Sequence, residues 1–132
     1  VWFHYTITVP AGTLESAPVE KTLKLTHGIV SWLGIPWQHG PNSLVYVRIL
    51  RFRHQIFPMN LDEAACGDGF IEGGKEYLEL TEPPYTLVAS AYSPECTHDH
   101  DVTILINVLP RKIVDPLNMQ LELQPRRIPW PI

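Results

Sequence analysis

Three observations predict an all-β fold, an antiparallel β-sandwich of jelly-roll type. Apolar residues recur with period two in one short run after another, which places one face of each run against a core. Thirteen prolines and eight glycines are spread along the chain, supplying turns between short strands rather than interiors for long helices. No stretch keeps a helical period for three turns, which argues against a parallel βαβ architecture. Seven or eight strands are expected in a domain spanning 1–110, followed by an extended, proline-rich arm over 111–132. A five- or six-stranded barrel is the alternative closure.

The elements follow in order. Val1 to Val9 alternates, with Trp2, His4, Thr6 and Thr8 on one face and Phe3, Tyr5, Ile7 and Val9 on the other. It lacks the basic start and apolar run of a signal peptide. After the Pro10–Thr13 turn, Val19 to Thr26 puts Val19, Lys21, Leu23 and Leu25 on one face. His27-Gly28 connects tightly to a third strand over Ile29–Ile35, and Trp37 to Asn42 reads as a loop of turn formers. Ser43 to Arg53 is the longest β-like run, with Val45, Val47 and Ile49 opposite Leu44, Tyr46 and Arg48. A turn near His54 precedes a short strand over Gln55–Pro58. Met59 to Gly74 reads as a loop holding Gly67-Asp68-Gly69 and the Gly73-Gly74 pair, with a brief strand over Glu76–Leu80 after it. Pro83-Pro84 interrupts the chain before Tyr85–Tyr92, whose Leu87, Ala89 and Ala91 share a face. The closing strand runs through His100–Pro110, with Val102, Ile104, Ile106 and Val108 opposite Thr103, Leu105, Asn107 and Leu109.

The arm combines Pro116, Pro125, Pro129 and Pro131 with Leu117, Met119, Leu121, Leu123, Ile128 and Trp130. The prolines rule out a helix or a central strand, and the apolar content sets it apart from a disordered polar tail. Such a segment needs a surface to lie on. Residues 1–110 carry six Lys/Arg against twelve Asp/Glu, a balance of −6, and the arm carries four against two, +2, which together give −4. A basic arm on an acidic body suits docking onto a neighbouring copy. Leu117 to Leu123 alternates and is expected to add a strand to another chain's sheet edge. Met119, Arg126, Arg127, Ile128 and Trp130 complete the expected subunit contacts. Trp2 and Trp130, at the two ends, are expected to be pinned against protein surfaces.

Chemistry-bearing clusters are sparse. His98 and His100, two apart and read as sharing a strand face, could join His27, His39 or His54 as metal ligands, but an H-x-H pair alone falls short of a site. Gly67-Asp68-Gly69, with Asp62, Glu63 and Glu72 nearby, has oxygen ligands but not calcium-loop spacing, so a plain turn is preferred. Cys66 and Cys96 belong to no CxxC pair; they are either one disulfide or two free thiols. The serines sit in no G-x-S-x-G setting, and no phosphate-cradling loop is present. The sequence therefore points away from an enzyme and calls for no cofactor. No run is long enough for a membrane span, and the body offers no basic face for nucleic acid. Trp32, Trp37, Tyr46, Tyr77, Tyr85 and Tyr92 raise the rival reading, an extracellular carbohydrate-binding module. Trp37, in a loop with Pro and Gly, is the aromatic expected to face a ligand.

From about Tyr5 to Pro110 the chain resembles small β-rich virion-associated proteins of tailed bacteriophages. The residues that carry this are Gly40-Pro41-Asn42-Ser43-Leu44-Val45, Gln55-Ile56-Phe57-Pro58-Met59-Asn60, the Gly67-Asp68-Gly69 turn and the strand from His100 to Pro110. The resemblance implies a non-enzymatic structural role in an extracellular particle, as a capsid decoration or cement protein or a fibre or tail module. Its partners would be copies of itself, with a trimer as the working expectation, and other virion proteins. The arm lies beyond the region it covers.

Overall fold

The computed structural model describes residues 1–40, 44–60 and 63–113. They form an all-β, sandwich-like body of two four-stranded sheets rather than a single barrel. The strands are β1 (Trp2–Val9), β2 (Val19–Lys24), β3 (Gly28–Pro36), β4 (Tyr46–Arg51), β5 (His54–Phe57), β6 (Ile71–Leu80), β7 (Thr86–Tyr92) and β8 (His100–Leu109). One sheet has the order β1-β8-β3-β6 and the other β2-β7-β4-β5, and every pairing is antiparallel. The chain changes sheet at each connection except the β4–β5 hairpin. No helix among the described residues is long and apolar enough to cross a membrane.

Alternation along the strands builds the core. Ile7 and Val9 of β1, Leu87, Ala89 and Ala91 of β7, and Val102, Ile104, Ile106 and Val108 of β8 are buried, while the residues between them are partly or fully exposed. Val47 and Ile49 of β4 join them from the facing sheet. Each large aliphatic side chain fully buried here contributes about 1.5–3 kcal/mol.

Several sequence-based bounds are corrected. Among the described residues of the run read as Ser43–Arg53, the strand extends from Tyr46 to Arg51. The turn falls at Phe52-Arg53, whose φ values of 50° and 64° are the positive pair that a two-residue type I′ hairpin requires. β5 accordingly starts at His54, not Gln55. Arg51 closes β4. Its guanidinium donates to the carbonyls of Glu82, Pro84 and Thr86 at 3.1–3.2 Å and ties the hairpin to the start of β7.

The largest correction concerns β6, which begins at Ile71 and passes through the Gly73-Gly74 pair. Those glycines serve a close approach of strands rather than a turn. Gly73 lies opposite Gly34 of β3, and a Cβ on Gly73 would stand 2.3 Å from the Leu33 carbonyl oxygen. The Trp32 ring lies across Gly34, where a Cβ would come within 2.5 Å of Cη2. Trp32 reaches that position because the register of β3 shifts between Val30 and Trp32 against both β6 and β8. A bulge changes strand parity, so Val30, Leu33 and Ile35 all face the core while Trp32 faces outward.

The two long sides of the body differ. Where β1 and β2 lie at the sheet edges, the Tyr5 hydroxyl donates to the Lys24 carbonyl and Lys21 Nζ donates to the Thr6 carbonyl at 2.7 Å. Side chains thus staple that side shut. At the opposite side, β6 and β5 are the edges, and a cleft remains between them.

The arm expected over 111–132 starts differently from its reading as extended chain. Arg111–Ile113 make a helical turn, with the Ile113 N–H donating to the Pro110 carbonyl at 2.9 Å. Residues 114–132 lie outside the described residues.

Candidate functional site

The cleft between the open edges has a volume of about 410 Å³, within the range of small-ligand and side-chain pockets. β3 supplies the floor through Val30 and Leu33, both part of the core. From β5 come His54, Gln55 and Ile56, followed by Met59, and from β6 come Glu76, Tyr77 and Leu78. Gln55 shapes the rim, since its Nε2 lies 2.8 Å from the Pro58 carbonyl and 3.0 Å from those of Asn60 and Glu63.

Period two explains why a carboxylate sits in an apolar cleft. Along β6 the less exposed residues are Glu72, Gly74, Glu76, Leu78 and Leu80. Inward-pointing charge is a common way of guarding an edge strand against indiscriminate pairing. Burial raises the Glu76 carboxyl above its usual pKa, and no hydrogen bond or ion pair engages it among the described residues. Glu72 is also raised by burial, opposed by a hydrogen bond from the Cys66 backbone. An apolar wall beside an unpaired carboxylate suits an apolar group carried next to a cation.

The residues singled out from sequence do not assemble elsewhere. Trp37 is not an exposed, ligand-facing aromatic; it is 5% exposed and belongs to the core. Leu33, Ile35 and Trp37 continue one alternating face past the end of β3, so the loop begins with its tryptophan directed inward. Gly67 leaves room for the ring, because a Cβ there would lie 2.6 Å from Trp37 Cδ1. The remaining aromatics are dispersed. Tyr46 stacks on Tyr92 at 5.0 Å, Trp32 meets Trp2 edge-on at 5.5 Å and 62°, and Tyr85 packs against His27. They make no single flat sugar platform. Trp2 is 60% exposed, held on one side by Trp32 rather than enclosed.

His98 and His100 line a second pocket of about 340 Å³ with Glu95, Cys96, Thr97, Gly40 and Leu44. They do not share a strand face, since β8 begins at His100 and His98 stays in the loop, its Nδ1 2.9 Å from Thr97 Oγ1. Among the described residues no three His, Cys, Asp or Glu side chains are placed to hold a metal. Asp68 is committed to the segment after β3, with Oδ1 accepting from the Gly40 N–H at 2.7 Å and Oδ2 3.5 Å from His39 Nδ1. Asp62, of the calcium reading, lies outside the described residues, as do Leu117, Met119, Leu121, Leu123, Arg126, Arg127, Ile128 and Trp130.

Cys66 and Cys96 are both free thiols. Burial pushes the Cys66 thiol up, and Glu72 and Glu63 push the same way. Burial and Glu95 raise Cys96 against a hydrogen bond with Ser93. A raised thiol holds little thiolate at neutral pH and is a slow nucleophile. Alkylation by iodoacetamide, followed against pH, is therefore expected to keep accelerating beyond the ordinary thiol range at both sites. A plateau at or below that range would contradict this environment.

Comparison of the chain with family models, curated proteins and solved structures gave no match.

Proposed function

We propose that this chain is a non-enzymatic structural protein of a virus particle, a jelly roll that assembles with copies of itself through its C-terminal arm. The strand orders β1-β8-β3-β6 and β2-β7-β4-β5 support the jelly-roll reading. They are what results when an eight-strand antiparallel ribbon, pairing first strand with last, is rolled into two sheets. Jelly rolls also serve lectins and cupins, so the fold alone does not select the role. The virion assignment, and with it the extracellular particle and other virion proteins as partners, rests on the resemblance of residues 5–110.

The observation that carries the assembly reading is where the last described residues, Arg111–Ile113, lie on the body. Arg111 pairs with Glu79 on edge strand β6, which places the start of the arm beside the open side of the sandwich. Beyond it, residues 114–132 carry the apolar and basic side chains that need a surface. Burying several of them would favour association by about 1.5–3 kcal/mol for each large residue, before the cost of ordering.

Cutting the chain after Ile113 tests this. The full chain is expected to sediment and scatter light as an oligomer and the truncated chain as a monomer. The same mass for both would overturn the arm's role.

A further inference from the structure

We propose that the cleft between edge strands β5 and β6 is the receptor for the arm of a neighbouring copy, with Arg126 and Arg127 beside Glu76 and with Ile128 and Trp130 on the apolar wall. This rests on the assembly reading above and names its acceptor site. Two observations commit the cleft to this occupant.

The first is charge and polarity. The cleft joins Leu33, Ile56 and Leu78 to one carboxylate without a partner among the described residues. Filling it with an apolar group alone would leave Glu76 buried and unpaired, which is costly. The chain carries the complement in consecutive residues, Arg126-Arg127-Ile128-Pro129-Trp130, on an arm whose net charge opposes that of the body. A guanidinium is suited to carboxylate pairing at interfaces.

The second is length and point of departure. From Ile113 to Arg126 is thirteen residues, about 43 Å when extended at roughly 3.3 Å per residue. Glu79, which holds Arg111, is three residues from Glu76 on the same strand, only about 10 Å along it. Occupying its own cleft would oblige the arm to double back over most of its length. A neighbouring copy makes use of the reach.

Full-length charge-reversal variants decide the matter, with self-association measured by sedimentation. Glu76→Lys alone, and Arg126→Glu with Arg127→Glu, are each expected to weaken association by at least about tenfold, because like charges would meet in the cleft. Combining all three reversals in one chain is expected to restore it. Mixing the Glu76→Lys chain with the Arg126→Glu/Arg127→Glu chain is also expected to restore association between unlike chains, since the arm of each meets an opposite charge on the other. A ring with an odd number of copies keeps one like-charged junction. Ile56→Trp, which fills the cleft without changing charge, is expected to weaken association as well. Recovery in the triple variant with no association between unlike chains in the mixture would show the arm folding onto its own cleft and overturn the assignment to a neighbour. Reversal and cleft-filling variants that all associate like the parent, in a protein whose assembly still requires residues 114–132, would overturn the cleft and leave the arm's role standing. Assembly indifferent to those residues would overturn both.

Discussion

Replacing Gly73 with alanine is expected to remove on the order of 3–5 kcal/mol of stability, while the same change at Gly74, its neighbour, leaves stability within about 1 kcal/mol. Two penalties meet at Gly73. Its φ of 124° is a conformation that residues with a Cβ rarely adopt, costing about 1–3 kcal/mol. The added methyl would also stand 2.3 Å from the Leu33 carbonyl oxygen and 2.5 Å from Gly34 Cα. Those atoms are backbone of the adjacent strand and cannot yield like a flexible side chain. β6 would have to leave β3 over its first half, with the loss of ladder hydrogen bonds. At Gly74 a Cβ meets nothing within 4 Å, and the loss of unfolded-state entropy even favours alanine. A domain of this size is stable by only about 5–15 kcal/mol, so the contrast is easily read from urea midpoints. A Gly73→Ala midpoint within experimental error of the parent would refute the close approach of β3 and β6.

That pair of glycines also shows why the sequence was legible in some strands and opaque in others. β1, β7 and β8 each have one face in the core, and their alternation of apolar and polar residues translates directly into burial. β6 defeats the same logic. Its inward positions begin with Glu72, Gly74 and Glu76 before Leu78 and Leu80 restore an apolar face, and at Glu76 to Leu78 it borders a cleft. A glycine pair in such a setting reads as a turn. β3 hides its parity change in the bulge near Ser31, so counting by two would place Trp32 with Val30 in the core. The cleft itself could not be found by local pattern. Its walls come from residues 30–33, 54–59 and 76–78, and their convergence depends on which strands become edges. Strand order is a property of long-range pairing, which one sequence does not display. Thus Glu76, which no local motif singles out, acquires its significance from its place on an edge strand.

Trp37→Ala is expected to cost about 3–5 kcal/mol, as large aromatic truncations in a packed core do, whereas Trp37→Phe should cost less than about half of that. The tryptophan is 5% exposed and part of the core cluster shared by both sheets. Its backbone N–H donates to the Phe70 carbonyl at 2.8 Å, tying the end of β3 to the start of β6. Alanine keeps that backbone bond, leaves a cavity and, like phenylalanine, lacks the indole N–H. Phenylalanine leaves a smaller void and removes something unfavourable at the same time. The indole Nε1 is buried without a hydrogen-bond partner among the described residues. An unsatisfied buried donor costs about 1–3 kcal/mol, and deleting it returns part of what the smaller ring forfeits. The N–H is absent from both variants, so the difference between them reports the volume of the ring. Equal losses for the two variants in guanidinium titrations would mean that the volume of the ring adds no packing energy at this position and would overturn its place in the core. A large loss for alanine with a small one for phenylalanine would establish that the tryptophan is retained for its volume. It would then act as a plug where β3 turns over the core, and the open side of the sandwich would be left as the place for an incoming chain.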